Sequence, residues 1–339
     1  MPRCEVYFCE ADFMIVIKKL VREIRFFLFW VQWSPLGFLI RKLPWWCVYR
    51  LAEITGTMAY WFQLISGSRI VRGIGRFFPE KSRSDCRQIA RRTCQQWFMV
   101  EYENMRMERF IAEEGYQSFP VAGLEHLDHA LQRGKGAIVL IVHFGAHFQI
   151  MPVLGRRGYV VNQLSNDISQ EKKGGVKPGY FEVLCHAARE KYNGRFLSAR
   201  MITAGKFARS LYRYLANNEV VIIAIDGRTG SQMDGFPFLG VDRYLFSTGA
   251  AALAVRTGAA VLPSFTVRDN QYRNHLVIEE ELVVPEEAVD HPEQAVSSLT
   301  AAFVMLLENY VRAYPDHCGQ DFFVPHGKSG QGHGPRENI

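Results

Sequence analysis

The stretch "IVLIVHFGAHFQIMPVLG", residues 138–155, opens as a strand and changes character midway. Ile138 to Val142 form an unbroken apolar run, the signature of a strand buried on both faces. His143, Gly145, His147 and Gln149 then interrupt it, where the pattern passes into a helix. In an open sheet of parallel strands, chemistry collects beyond the carboxyl ends of the strands, where helices begin. A strand that ends on two imidazoles and a glycine marks a candidate site as well as a fold.

The alternation continues outward from this stretch. "YVVNQL" (159–164) reads as a strand, "GYFEVLCHAAREKY" (179–192) as a helix and "RFLSA" (195–199) as a short strand. "TAGKFARSLYRYLANN" (203–218) is helical, and "EVVIIAIDG" (219–227) is the clearest buried strand. A small-residue helix, "STGAAALAVRTG" (247–258), precedes strands at 259–267 and 274–284, and residues 293–315 close as a helix. Upstream, residues 84–115 have apolar positions three and four apart and read as one long amphipathic helix. Val/Ile strands alternating with helices predict an α/β fold, with a mostly parallel central sheet covered by helices on both faces.

The bulk composition fits a folded chain. There are 339 residues, 48% hydrophobic and 22% charged, enough for a sizeable core. The net charge of +6 comes with no Lys/Arg run interleaved with aromatics, so nucleic acid is not expected as a partner. The basic residues suit an anionic membrane surface. Seven cysteines, at 4, 9, 47, 86, 94, 185 and 318, form no C-x-x-C pair. They predict reduced thiols in a cytosolic setting, with neither a disulfide framework nor a zinc site. No secretory signal with a small-residue cleavage site is evident.

The first 66 residues differ from the rest. "KKLVREIR" (18–25) is basic, "FFLFWVQWSPLGFLI" (26–40) is uncharged, and "RKLPWWCVYR" (41–50) is basic and aromatic. Fifteen uncharged residues make a helix of about 22 Å, short of the roughly 30 Å hydrocarbon core. Pro35 and Gly37 also interrupt the run. The expectation is a membrane-associated helical hairpin, with Trp30, Trp33, Trp45 and Trp46 at headgroup level. The alternative is an aromatic-rich hairpin packed on the main body. The predicted organisation is thus a membrane-associated segment at 1–66, an α/β catalytic domain at 67–325 and a disordered Gly-rich tail at 326–339.

His143 and Asp226 are each the first polar side chain after an apolar strand. Such an imidazole can accept a proton from a hydroxyl, with a carboxylate fixing its tautomer. A hydrogen-bonded structural histidine is the competing interpretation. His143, His147 and Asp226 also raise a metal site, but the Glu of H-E-x-x-H is missing, so no metal is expected. Arg156 and Arg157 are candidate phosphate ligands or a solvated pair. Arg228 is a candidate phosphate or carboxylate clamp, or the ion-pair partner of Asp226, and Arg243 is a similar candidate. Ser247 or Thr248 is expected to cap the helix containing Gly249, and Asn166 and Asp167 to lie in a turn.

Three blocks carry a family resemblance: "GLEHLDHALQRGKGAIVLIVHFGAHF" (123–148), "IDGRTGSQMDGFPFLGVDRYLFSTGAAALAVRTGAAVLPSF" (225–265) and "YVRAYPDH" (310–317). In this order, and behind a basic aromatic N-terminal segment, they resemble the bacterial lipid A biosynthesis (lauroyl/myristoyl) acyltransferases. That family lies within the glycerophosphate/lysophospholipid acyltransferase superfamily, and the resemblance spans roughly residues 20–320. It implies transfer of an acyl chain from a thioester, on acyl carrier protein or coenzyme A, to a hydroxyl of a membrane lipid or glycolipid. It implies His143 as general base, backbone N–H groups around Gly145 as oxyanion donors, and no cofactor beyond the co-substrate. The implied location is the cytoplasmic face of a bacterial inner membrane.

One position departs from the family pattern, which is His, four residues, then an acid. The fifth residue after His143 is Phe148, followed by Gln149. Asp226 can substitute if its strand neighbours that of His143, or His147 can relay a proton. The alternative is a non-catalytic member that binds lipid or acyl carrier.

Overall fold

A computed structural model of the chain describes residues 36–65, 69–112, 119–165, 180–191, 193–198, 208–227, 232–319 and 322–323. The basic and aromatic positions before residue 36, Asn166, Asp167, Arg228 and the tail at 326–339 lie outside them.

Among the described residues nine strands form two sheets. The central sheet has seven: β1 (Val121–Ala122), β2 (Ala137–Ile141), β3 (Val161–Ser165), β4 (Gly194–Ser198), β5 (Val220–Ala224), β8 (Ala260–Arg268) and β9 (Asn274–Ile278). Their order across the sheet is β1-β9-β8-β2-β5-β3-β4. Every pairing is parallel except β8 with β9. The predicted α/β class with a mostly parallel sheet is what the chain adopts. Ile138, Leu140 and Val142 enter one buried cluster and Val139 and Ile141 another. Both faces of β2 are therefore covered, which is why its sequence does not alternate.

Helices α6 (Leu124–Gln132) and α7 (Ile150–Arg156) cover one face. Helices α9 (Ala208–Ala216), α10 (Gly249–Thr257) and α11 (Pro292–Ala313) cover the other. The chain leaves β2 through α7 towards β3 and leaves β5 through α10 towards β8. These connections depart to opposite faces from neighbouring strands, and such a divergence opens a crevice at the carboxyl ends of β2 and β5. Helix α8 (Tyr180–Glu190) lies between β3 and β4 in the chain.

Helix α1 (Gly37–Lys42) and helix α2 (Trp45–Ile65) are divided at Pro44. Helix α2 runs antiparallel to α4 (Arg83–Met105): the Tyr49 hydroxyl donates to Glu103 Oε1 at 2.9 Å, and Gln95 Nε2 to Thr57 Oγ1 at 2.9 Å. Among the described residues no helix is long and apolar enough to cross a membrane. Helix α3 (Ile70–Phe77) joins the pair.

Two sequence expectations change. The helix expected over 84–115 breaks at Arg106, leaving α4 and a short α5 (Met107–Ala112). The guanidinium of Arg106 is buried over the Trp45 ring at 4.0 Å, which holds the chain at this break against α2. The strand expected over 274–284 stops at Ile278. The Phe-Pro-Phe-Leu-Gly segment (236–240) ends β6 (Met233–Phe238) and makes the turn into β7 (Val241–Ser247), and the two strands form an antiparallel hairpin. Tertiary packing forms it: Phe238 meets Phe77, Tyr244 and Phe322 at centroid distances of 6.2, 5.6 and 5.6 Å.

Candidate active site

Strand register builds the site. Ile141 of β2 is paired with Ala224 of β5, and His143 and Asp226 each lie two residues further on. They emerge on one side of the sheet, next to each other, although 83 positions separate them in sequence. The Asp226 carboxylate accepts twice from His143. Oδ2 takes the backbone N–H and Oδ1 the ring Nδ1–H, each at 2.9 Å. With Nδ1 donating, Nε2 keeps its lone pair. The His143 side chain is 53% exposed and that of Asp226 only 7%, so the imidazole has one edge against a buried carboxylate and the other open.

The charges follow from this geometry. The Asp226 carboxylate raises the pKa of His143 above the ordinary imidazole value, against an opposing effect of burial. Burial pushes the Asp226 carboxyl up, but the charge of His143 and the two hydrogen bonds outweigh it and hold the group ionised. Such a pair yields a stronger base with a fixed tautomer.

His147 is placed differently. It is buried, its Nδ1–H donates to Gly145 O at 3.2 Å, and its ring meets His143 edge-on at 5.0 Å. Burial, then the charge of His143, depress its pKa to about 3. It stays neutral through the neutral range, beside His143. Phe148, in the position of the family's acid, contacts His147 at 4.1 Å and lies under the guanidinium of Arg189 at 4.9 Å.

Gly145 has a structural task. Its φ is +53°, and a Cβ there would lie 1.8 Å from Thr266 O. Its N–H donates to His317 O at 2.9 Å. This one donor is thus taken up within the fold, and the expectation of oxyanion donors around Gly145 falls to the neighbouring backbone N–H groups.

Arg156 and Arg157 stand at the far end of α7, about 10 Å along the helix from its start. Arg157 donates to Val153 O at 3.0 Å and Phe119 O at 2.8 Å, which makes it a brace and not a solvated ligand. Arg243 is exposed on the hairpin, 4.0 Å from Asp234. The hairpin's root touches the site, since Ser247 N–H donates to Ile225 O at 2.8 Å. Among the described residues no group of three or more His, Cys, Asp or Glu is arranged to hold a metal ion.

Two supports of the site escaped the sequence. The first is a strap after α11: Gly319 N–H donates to His143 O at 3.2 Å, and Cys318 bridges Phe144. His317 Nδ1–H donates to Asp316 Oδ1, and its Nε2 accepts from Arg268 N–H, both at 3.0 Å. The second is a buried network. Arg268 grips Glu103 of α4 through both terminal nitrogens at 2.5 and 3.0 Å. Asn274 Nδ2 bridges Glu103 Oε1 and Gln149 Oε1 at 3.0 Å each. "YPDHCG", a polar cluster just past an apolar helix, was the available signal for the strap. Arg268, the first charge after an apolar strand, was the signal for the network.

A buried carboxylate holding an exposed imidazole, at the carboxyl ends of adjacent parallel strands, is an arrangement suited to acid–base chemistry on a hydroxyl. The family profile described as bacterial lipid A biosynthesis acyltransferase matches residues 16–317. The chain belongs to this family of acyltransferases. No curated protein matches it.

Proposed function

We propose that the protein moves a fatty acyl chain from an acyl thioester, on acyl carrier protein or coenzyme A, to a hydroxyl of a lipid or glycolipid acceptor. The acceptor O–H gives its proton to Nε2 of His143 as its oxygen attacks the thioester carbonyl carbon. The imidazolium formed is stabilised by Asp226. When the tetrahedral intermediate collapses, the C–S bond breaks and the thiolate takes the proton back from His143. The ester and the free thiol leave, and His143 returns to its starting state. Backbone donors other than Gly145 N–H are required for the oxyanion.

The observation that carries this function is the double hydrogen bond of Asp226 to His143. It supplies from β5 the acid that Phe148 does not provide. A lipid acceptor and an acyl thioester place the enzyme at a bilayer, and the cytoplasmic face of a bacterial inner membrane is the proposed location. The test is acyl transfer by purified protein in detergent micelles with a long-chain thioester. His143→Ala is expected to lower turnover by 10²–10⁴ or more, the range for loss of a positioned base. Undiminished turnover in that variant removes His143 as the base. Binding of lipid without product in the wild type favours the non-catalytic family member that Phe148 suggests.

A further inference from the structure

One stretch of the described helices is strongly cationic. Between Arg69 and Arg92 the chain carries eight Lys/Arg and two Asp/Glu, a surplus of six that equals the +6 of the whole chain. This segment comprises α3 and the first half of α4. Arg72 and Arg76 on α3, and Arg87 and Arg91 on α4, are all exposed. Each pair is spaced i, i+4 and shares a helix face, where like charges repel. Among the described residues none of the four has an ion-pair partner, whereas Arg41, Arg50, Arg133, Arg273 and Arg312 all reach carboxylates. Of the two acids, Asp85 is taken up by the capping box of α4, where it accepts from Ser82 N–H at 3.1 Å.

An apolar stripe adjoins this field. On α2, Trp46, Ile54, Met58 and Trp61 lie on one face and are 70, 59, 66 and 57% exposed, with Arg50 completing the row. The stripe is about 22 Å long. Tyr60, at its C-terminal end, shares a buried cluster with Ile70 and Ile74 of α3 and with Cys86 and Ile89 of α4. This cluster packs the C-terminal end of the helix that carries the stripe against the two helices that carry the cations.

We infer that α2, α3 and the first half of α4 form a docking surface for a bilayer containing anionic phospholipid. The stripe enters the interface and the four arginines lie over the headgroups. An acidic soluble protein would answer the charge but leave the stripe in water, and a second copy of this chain would bring like charges together. A lipid surface satisfies both halves. The inference rests on the membrane location proposed above but not on the chemistry of His143. It assigns selectivity for lipid charge to the folded helices, apart from the basic segment at 18–25.

The test is co-sedimentation of the full chain with vesicles of phosphatidylcholine alone or mixed with phosphatidylglycerol. Each cation near such a surface is worth roughly fivefold in binding. The quadruple variant Arg72→Gln, Arg76→Gln, Arg87→Gln, Arg91→Gln is expected to lose roughly several hundredfold on mixed vesicles and little on neutral ones. Trp46→Ser with Trp61→Ser is expected to weaken binding to both. The quadruple variant retaining the anionic preference overturns the inference. So does loss of that preference on neutralising only Lys18, Lys19, Arg22 and Arg25. A stripe variant that binds vesicles normally but changes a dimer into a monomer also overturns it. Acyl transfer in micelles separates the two proposals: the quadruple variant should retain turnover, and His143→Ala should retain vesicle binding.

Discussion

Asp226 decides what His143 can do. A carboxylate against Nδ1 makes the far nitrogen a stronger base, so the wild-type acid limb of kcat/KM should lie above the ordinary imidazole value of about 6.5. Asp226→Asn removes the charge, lowers the His143 pKa and should move that limb to lower pH. Turnover should fall 10²–10⁴-fold, because the imidazolium is no longer stabilised. A pH–rate profile with the limb unmoved contradicts the dyad. His147 offers the contrast. Since it is neutral with a pKa of about 3, His147→Phe should leave the limb in place. It should cost about 1–2 kcal/mol in urea unfolding for the lost bond to Gly145 O. Both dyad members were legible as first polar residues after apolar runs. Their pairing was not, because adjacency of β2 and β5 is a fact of sheet order that local sequence does not carry.

At the scale of elements, the loop from His143 to Gln149 owes its shape to segments far along the chain. Gly145 must hold a positive φ and let its backbone approach Thr266 O. Gly145→Ala therefore combines backbone strain with a steric clash and is expected to destabilise by at least about 1–3 kcal/mol. Thermal melts would report it, and turnover should fall along with stability because His143 is displaced. Helix α4 is more self-sufficient. Its capping box, Ser82 with Asp85, follows from local chemistry, and Ser82→Ala should cost about 1 kcal/mol. The strands and helices of the sheet were legible for the same reason, since each apolar run reports its own burial. The β6–β7 hairpin was not: its aromatics look like a Gly/Pro turn until Phe77 and Phe322 are placed against them.

Across the whole molecule, the pair of Arg268 and Glu103 ties the sheet to the α2–α4 layer. Both side chains are 2% exposed, and Tyr49 and Asn274 also donate to Oε1 of the carboxylate. Arg268→Met alone strands a buried charge and should cost about 3–5 kcal/mol. The double variant Arg268→Met with Glu103→Leu should recover much of that, since two apolar side chains leave no unpaired ion. Denaturant titrations of both variants check this, and a double variant no more stable than the single one would contradict it. Because Asn274 links Glu103 to Gln149, the single variant should also slow acyl transfer. The distribution of charge belongs to this scale too. The surplus of six between Arg69 and Arg92 was countable in the sequence, but the lack of ion-pair partners for Arg72, Arg76, Arg87 and Arg91 was visible only once the described carboxylates had positions.

The sequence by itself determined the α/β class, the places where strands end in polar residues, and the family. These depend on hydrophobic periodicity and short-range residue order, which are local properties of a chain. Tertiary structure alone decided that Asp226 lies against His143, that Gly145 N–H is bonded to His317 O, and that Arg72, Arg76, Arg87 and Arg91 have no ion-pair partner among the described residues. Each of those depends on which distant segments meet, and a hydrogen bond or an ion pair exists only where folding brings its two ends within about 3–4 Å.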